Sequence, residues 1–347
     1  MKRKFYFSGH SLTNPRLVGF LSEIAKTAGI DLAWDQQHLV GSSIRQRRQG
    51  YGLDPQAPAY RHGADRAGRP ADILGAFAAR GEDGRAIDTL VVTEQHAVLN
   101  ALVWQETVSS LRHIHEAFVR ANPGSRTIFF EPWLSIDDKA APQRWIEYEQ
   151  AAAPVWKCAV SSVNQSLAVA GHTDRIVSMP MGVALAFLAN RASRPESKGD
   201  LAGGSTRDRM NLFFDDDVHL TEAGDFYAAA VMFLHLFGTT RQIEWSPAAV
   251  GEPLAQFIKY AAADAATKYP LTENMNNLED CRRYIESKFL KFFIEYYYDA
   301  NLKKSSNFII SLYQKFNIKR SLDAFYNENS PSNPLVNNPV TSLDHKQ

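Results

Sequence analysis

One stretch near the start of the chain, residues 5–14, constrains the fold more than any other. Three consecutive aromatic residues beginning at Phe5 are typical of a buried strand, and Gly9 indicates a tight turn directly after it. Residues 15–28 then carry apolar side chains at helical spacing. A buried strand that turns straight into an amphipathic helix predicts the first unit of an α/β sheet.

The same strand-then-helix pattern recurs along the chain. Further strands are predicted at residues 29–40, 87–92, 127–131 and 175–179. Long helices are predicted at 98–121, 142–170 and 226–237. Strands that alternate with helices of this length predict a parallel sheet covered on both faces, with right-handed crossovers.

Ser11 lies where the first strand ends and the first helix begins. Ligands of open α/β sheets bind at this carboxyl edge, and the backbone N–H groups of a helix start favour negative charge. A hydroxyl here is therefore a candidate nucleophile. Ser is also a preferred capping residue, so a simple helix cap is the alternative.

A second stretch, residues 212–224, supplies the groups that a serine nucleophile needs. Asp216 lies three residues before His219, on a polar loop that leads into an apolar helix. Histidine is a base near neutral pH, and a carboxylate fixes its tautomer and stabilises its charged form. Asp215 and Asp217 flank the carboxylate, but the three-residue spacing favours Asp216 as the partner of His219.

These two stretches resemble the SGNH/GDSL hydrolase family. Gly9-His10-Ser11-Leu12 matches its first block, G-x-S-L, and Asp216-Asp217-Val218-His219-Leu220 matches its last block, D-x-x-H-L. The resemblance implies a three-layer α/β/α sandwich with a flavodoxin-like, five-stranded parallel sheet in the order 2-1-3-4-5. It covers about residues 3–245, within a catalytic domain taken as residues 1–245, and implies a triad of Ser11, His219 and Asp216.

The resemblance also implies an oxyanion hole. Its donors are the backbone N–H groups of Ser11 and Gly41 and, in the family, an asparagine of a third block, G-x-N-D. That asparagine is missing here: Gln95 stands at its position and keeps an amide donor, with Asn100 as the alternative. For Gly41 the alternative is an ordinary turn.

Two further residues follow predicted strands, at the edge where a substrate would bind. His96 is a candidate for contacting the substrate, with a surface histidine as the alternative. Trp133 is a candidate for lining an acyl or sugar pocket, with a packing role as the alternative. Residues 45–70, rich in Arg and Gly, form a long polar insertion that is either a lid or substrate wall or a solvated loop.

The composition limits the partners of the chain. Its 38 basic and 38 acidic residues balance, which argues against nucleic acid or an anionic membrane as the main partner. No stretch is long and apolar enough to span a membrane. Cys158 and Cys281 have no metal-ligand spacing and are expected to be reduced thiols. A cytoplasmic protein is expected, unless an export signal was removed.

The last hundred residues differ in composition and match no family that we recognise. Residues 246–326 are predicted to form a helical extension that packs on the core or pairs with another subunit. Residues 327–347, rich in Asn, Ser and Pro, are predicted to be disordered.

Taken with the resemblance, the residues predict a serine-dependent hydrolase of small-molecule or carbohydrate esters. The mechanism requires no metal or organic cofactor. Two alternatives remain open: an acyltransferase that passes the acyl group to a sugar hydroxyl, and a non-catalytic binding or scaffold protein with the same fold. The missing third-block asparagine favours the second alternative.

Overall fold

The computed structural model describes residues 1–335, except 55, 57–58, 82–83, 195–200, 274, 306, 328–329 and 331. The strands are β1 (Lys2–Gly9), β2 (Asp31–His38), β3 (Thr89–Thr93), β4 (Arg126–Phe130), β5 (Ile176–Met179) and β6 (Thr272–Glu273). The helices of the first 245 residues are α1 (Pro15–Thr27), α2 (Ile44–Gln49), α3 (Ile73–Ala78), α4 (Val98–Trp104), α5 (Thr107–Ala121), α6 (Gln143–Val169), α7 (Met181–Ala192), α8 (Thr206–Asn211) and α9 (Glu222–Phe237). The later helices are α10 (Glu252–Lys268), α11 (Leu278–Tyr284), α12 (Leu290–Tyr297), α13 (Lys303–Ser305) and α14 (Phe308–Tyr326), with π-helical turns at Ile285–Phe289 and Tyr298–Leu302.

The strands form one sheet in the order β2-β1-β3-β4-β5-β6. The first five are parallel, in the predicted order, and β6 pairs antiparallel with β5. The predicted α/β sandwich is therefore confirmed, although the sheet has six strands rather than five. The sixth strand has only two residues and belongs to the segment predicted as helical, so no periodicity in the sequence could indicate it.

Helices cover both faces of the sheet and bury its apolar side chains. Every residue of β3 is buried, as expected of a parallel strand with helices on both sides. On one face, α9 is apolar almost all round because it lies between α1 and α10. None of the helices in the described ranges is long and apolar enough to cross a membrane.

The helix predicted at 98–121 is interrupted. The chain leaves α4 at Gln105 and starts α5 at Thr107, because Glu106 adopts a left-handed backbone conformation with φ of 49°. The Glu106 carboxylate pairs with Arg45 at 3.0 Å, which ties this break to the segment after β2.

The cysteines are not the reduced thiols that the sequence predicted. Cys158 of α6 and Cys281 of α11 form a disulfide bond, with 5.8 Å between their Cα atoms. They are 123 residues apart in the chain, and only the packing of α11 against α6 brings them together. The extension is therefore covalently fixed to a helix that covers the sheet.

Two further predictions need correction. The insertion at 45–70 is not simply a solvated loop, because α2 begins with a capping box between Ser43 and Gln46 and the Arg47 side chain is fully buried. In the tail predicted to be disordered, Asn333 and Leu335 are buried. Residues 336–347 lie outside the described residues.

Candidate active site

The turn after β1 holds Ser11 in a defined position. Gly9 is required there because a Cβ would lie 1.8 Å from the Thr13 hydroxyl oxygen. His10 caps a single 3₁₀ turn, Ser11–Thr13: its Nδ1 accepts a hydrogen bond from Leu12 N at 3.4 Å and its Nε2 donates to Glu94 O at 2.8 Å. Ser11 is therefore not the helix cap, and its half-buried hydroxyl is free for another role.

Burial, with the nearby charge of Arg47, lowers the pKa of His10 to about 3. The ring is therefore neutral over the physiological range, which fits one nitrogen donating while the other accepts. The neutral imidazole of His10, with a hydrogen bond at each ring nitrogen, fixes the backbone that presents Ser11.

Contacts between α1 and α9 bring the two ends of the site together. The buried carboxylate of Asp225 accepts hydrogen bonds from Asn14 Nδ2 at 3.1 and 3.2 Å and forms a salt bridge with Arg16 at 2.6 Å. Arg16 also donates to Leu220 O at 2.9 Å. These three side chains were not predicted from the sequence, and no spacing rule connects residues some 210 positions apart.

Ser11, His219 and Asp216 are joined by hydrogen bonds. His219 Nε2 lies 3.0 Å from Ser11 Oγ, and His219 Nδ1 lies 2.6 Å from Asp216 Oδ2. A carboxylate only accepts, so Nδ1 carries the proton and Nε2 accepts from the serine hydroxyl. This is the arrangement of a nucleophile, a general base and an orienting acid.

The backbone of the loop fixes the Asp216 carboxylate. Its Oδ1 accepts from Val218 N at 2.7 Å and from His219 N at 2.6 Å. Partial burial would raise the pKa of Asp216, but the hydrogen bonds from His219 and the backbone outweigh it and lower the pKa to about 2. The side chains of Asp216 and His219 are 57% and 44% exposed, so the site is open to solvent.

The flanking aspartates have other roles. Asp215 N donates to His219 O at 2.9 Å, which closes the loop, and the Asp217 carboxylate pairs with Lys304 at 2.9 Å. The prediction that Asp216, rather than its neighbours, partners His219 agrees with these contacts.

Trp133 is not a pocket-lining residue. Its side chain is fully buried, and Nε1 donates to Val218 O at 2.8 Å. The prediction that it lines an acyl or sugar pocket is wrong, because the bend after β4 turns the indole inward against the loop of His219. Trp133 instead supports the candidate base.

The amide of Gln95 faces the turn after β2. Its Nε2 donates to Gly41 O at 2.8 Å and to Gln46 Oε1 at 3.2 Å, so Gln95 and Gly41 are adjacent, but both amide protons already have acceptors. Asn100, the alternative, lies in α4 and its side chain bonds with Tyr297 of the extension. In this arrangement neither amide is directed at Ser11.

Two buried ionisable side chains, Arg47 and Glu94, lie near the carboxyl ends of β1 and β3. Arg47 donates to Ser8 Oγ at 2.9 Å, to Ser42 O at 3.1 Å and to Thr93 O, and so bridges the carboxyl ends of β1 and β3. Glu94 accepts from the backbone N–H of Ile44 at 3.1 Å. Burial raises the pKa of Glu94 to about 7 although Arg47 opposes the shift. No local pattern in the sequence predicts these contacts, because they join separate segments of the chain.

His96 is close to the candidate base. Burial, with the charge of His219, lowers the pKa of His96 to about 4, so its ring is neutral at physiological pH. The role of His96 in contacting a substrate stays a prediction. Among the described residues, no group of three or more His, Cys, Asp or Glu side chains is placed to hold a metal ion.

Comparison with known proteins identifies a similar fold but no family. No protein-family model and no curated protein matches the chain. The chain is similar to a solved structure of a DUF4886 family protein from Bacteroides uniformis, with 15% sequence identity and a TM-score of 0.52. The similarity covers 79% of this chain and 98% of that chain. At this identity the likeness supports the α/β fold alone.

Proposed function

We propose that the protein is a serine-dependent ester hydrolase. The observation that carries the proposal is the unbroken chain of hydrogen bonds from Ser11 through His219 to Asp216, with distances of 3.0 and 2.6 Å. These three side chains lie at the carboxyl edge of a parallel sheet, where ligands of this fold class bind.

In the proposed reaction, Ser11 Oγ attacks the ester carbonyl carbon and its proton passes to His219 Nε2. Asp216 stabilises the imidazolium that forms. The tetrahedral intermediate collapses as the ester C–O bond breaks and His219 returns its proton to the departing alcohol. Water then attacks the acyl carbon as it loses a proton to His219. The bond between the acyl carbon and Ser11 Oγ breaks, His219 returns the proton to Ser11 Oγ, and the carboxylic acid is released.

The negative oxygen of the intermediate needs donors. We assign the backbone N–H groups of Ser11 and Gly41 to this role, with Gln95 as a third donor. Gln95 lies beside Gly41, but its amide has to leave the Gly41 carbonyl to serve. Catalytic hydrogen bonds often form only once the substrate is bound, and each such donor contributes about 3 kcal/mol.

The substrate class proposed is an ester of a short acyl group with a polar alcohol, such as an acetylated sugar. Asp216 and His219 are half exposed, which favours a shallow site over a deep apolar tunnel. The polar segment that begins with α2 adjoins the turn at Gly41, where it would contact the alcohol.

The test is the reaction of the protein with a fluorophosphonate probe and with p-nitrophenyl acetate and acetylated sugars. We expect covalent labelling at Ser11 and ester hydrolysis, both lost in Ser11→Ala. A folded wild-type protein that neither reacts nor hydrolyses any ester would favour the non-catalytic alternative. An O-acylated sugar as the main product, when a sugar acceptor is present, would replace hydrolysis by acyl transfer.

The compartment is also a proposal. The sequence favours the cytoplasm, but disulfide bonds such as Cys158–Cys281 are typical of proteins that fold in an oxidising environment. We therefore favour export. Thiol alkylation of the protein in its native cells tests this, since two reactive thiols would place it in a reducing compartment.

A further inference from the structure

The outward face of α14 is an exposed apolar surface. Six large side chains lie on it, each between 44% and 75% exposed: Phe308, Ile309, Ile310, Leu312, Tyr313 and Phe316. We call these six residues the α14 patch. Large contiguous apolar patches are uncommon on soluble monomers, where they rarely exceed a few hundred Å². Such patches mark interaction sites.

The helix that carries the patch is anchored from its other side. Ser311, Leu322 and Tyr326 are buried, and Tyr326 Oη donates to Leu99 O at 3.1 Å. Tyr298 Oη also lies 3.4 Å from Ser311 Oγ. The exposure of the patch therefore does not result from a detached helix, because the opposite face packs on the core.

Basic residues surround the patch. Lys303 and Lys304 precede it, and Lys315, Lys319 and Arg320 lie within or after it. Two of these charges have carboxylate partners, because Lys304 pairs with Asp217 and Lys319 pairs with Asp323. No acidic residue occurs between positions 303 and 322. The balanced charge of the whole chain, which argued against an anionic membrane as a partner, conceals this local excess.

The charges decide between the partners that an apolar face can bind. A second copy of the chain, packed patch to patch, would bring the basic rims together, and like charges repel. An anionic lipid surface instead offers acyl chains to the patch and headgroups to the rim. Exposed aromatic and aliphatic side chains can enter the boundary between headgroups and acyl chains, while nearby Lys and Arg contact the anionic headgroups.

We propose that α14 docks the protein on an anionic lipid surface. The helix start is close to the candidate active site, because Lys304 pairs with Asp217, the neighbour of Asp216, at 2.9 Å. Docking would hold the catalytic loop beside the membrane. The docking does not depend on the proposed hydrolysis and is measured without it.

The experiment is co-sedimentation of the full chain with vesicles of phosphatidylcholine alone and with 30–40% phosphatidylglycerol, roughly the range in which basic segments respond to surface charge. We expect binding to the anionic vesicles, at least tenfold weaker binding to the neutral ones, and release as salt rises. The double variant Ile309→Ser/Phe316→Ser should lose at least tenfold in binding. The variant Lys303→Glu/Arg320→Glu should bind about tenfold more weakly to the anionic vesicles, and its binding to the neutral vesicles should not change.

The matched control is Val169→Ser/Tyr260→Ser, which removes exposed apolar residues, 91% and 66% exposed, from other helices. It should bind like the wild type, and circular dichroism should show all variants folded. Absent or equal binding to both vesicle types, or an equal loss in the control, would overturn the proposal. A dimer in sedimentation equilibrium that dissociates only in the patch variant would assign the surface to a second copy and also overturn it.

Discussion

Among the described residues, two hydrogen-bonded series of a hydroxyl, an imidazole and a carboxylate lie at opposite edges of the sheet. We call each of them a chain of hydrogen bonds. One is Ser11–His219–Asp216, at the carboxyl edge. The other is Thr127–His115–Asp174, in which His115 Nδ1 lies 2.9 Å from Thr127 Oγ1 and Nε2 lies 2.5 Å from Asp174 Oδ2. Their distances are almost the same, so the hydrogen bonds alone do not distinguish them.

What differs is the surroundings of the hydroxyl. Thr127 is the second residue of β4, fully buried under α5, and no substrate can reach it. Ser11 lies on a half-buried turn at the carboxyl edge of the sheet, where its hydroxyl is partly exposed. The tautomers also differ, because the carboxylate accepts from Nε2 in His115 and from Nδ1 in His219. A triad-like chain therefore predicts chemistry only where its hydroxyl is accessible and donors lie near it.

Replacing the carboxylate of each chain of hydrogen bonds should produce the largest difference in activity between them. Asp216→Asn keeps the backbone contacts but turns an N–H toward His219 Nδ1, which forces the other tautomer and blocks acceptance of the Ser11 proton. We expect kcat for ester hydrolysis to fall by about 1,000-fold or more. Asp174→Asn should leave kcat within about threefold of wild type.

The two variants should separate in stability as well. Asp174→Asn weakens the bond to buried His115 and should lower the free energy of unfolding by about 1–3 kcal/mol. Asp216 is mostly exposed, so its replacement should change stability little. If Asp174→Asn instead lost activity without losing stability, the buried chain would have a catalytic role that the comparison denies it.

The second prediction concerns Gln95, which has no counterpart beside Thr127. If Gln95 leaves the Gly41 carbonyl to bind the oxyanion, Gln95→Ala should lower kcat about 100-fold with KM little changed. Gln95→Asn should recover only part of this loss, because its amide reaches one methylene less far. The measurement is steady-state kinetics on p-nitrophenyl acetate.

A structural role for Gln95 gives a different result. In that case its bonds to Gly41 and Gln46 serve only to hold the turn, and Gln46→Ala should cost as much activity as Gln95→Ala. Activity of Gln95→Ala within threefold of wild type would remove Gln95 from the oxyanion hole altogether.

The sequence predicted the parts of this site that lie in local patterns. The strand at Phe5 and the spacing of Asp216 and His219 follow from periodicity and motif, and the order of the parallel strands was implied by the resemblance to the SGNH/GDSL family. The hydrogen bonds through buried His115 could not be predicted in this way. Thr127, His115 and Asp174 belong to no motif, and they meet only through tertiary packing.

The errors have the same physical origin. Arg47 looked like part of a solvated insertion because arginine is seldom buried without partners, and its partners come from three other segments. Trp133 was placed correctly at a strand end, but the direction of its side chain depends on the bend that follows. The disulfide joins residues 123 positions apart, which no spacing could indicate.

The third prediction removes the buried hydroxyl. Thr127→Val is nearly isosteric and leaves His115 Nδ1 without its donor in a site that water does not reach. The free energy of unfolding should fall by about 1–3 kcal/mol, and kcat should stay within about threefold of wild type. Thr127→Ser, which keeps the hydroxyl, should restore most of the stability in urea unfolding.

The smallest expected effect is in the pH dependence of the free energy of unfolding. It tests how far burial lowers the pKa of a histidine with and without a carboxylate partner. Burial lowers the pKa of His115, although Asp174 partly opposes the shift. A histidine with a lowered folded-state pKa stays neutral while the unfolded chain takes up a proton, so stability is lost as pH falls below about 6.5. His235, whose pKa burial lowers to about 4, is the matched control.

Each histidine should therefore contribute at most about 1.4 kcal/mol per pH unit to the slope of stability against pH. His235→Leu should flatten the slope down to pH 4, since His235 has no carboxylate to favour its charged form. His115→Gln should flatten it less, because Asp174 narrows the interval between the folded and unfolded pKa of His115. Urea unfolding at pH 7, 6 and 5 measures both, and a slope that becomes steeper in His115→Gln would mean that the folded-state pKa of His115 is raised and its ring is charged in the fold. His115 and Asp174 would then form a buried ion pair, and the pKa of His115 would not be lowered by burial as expected here.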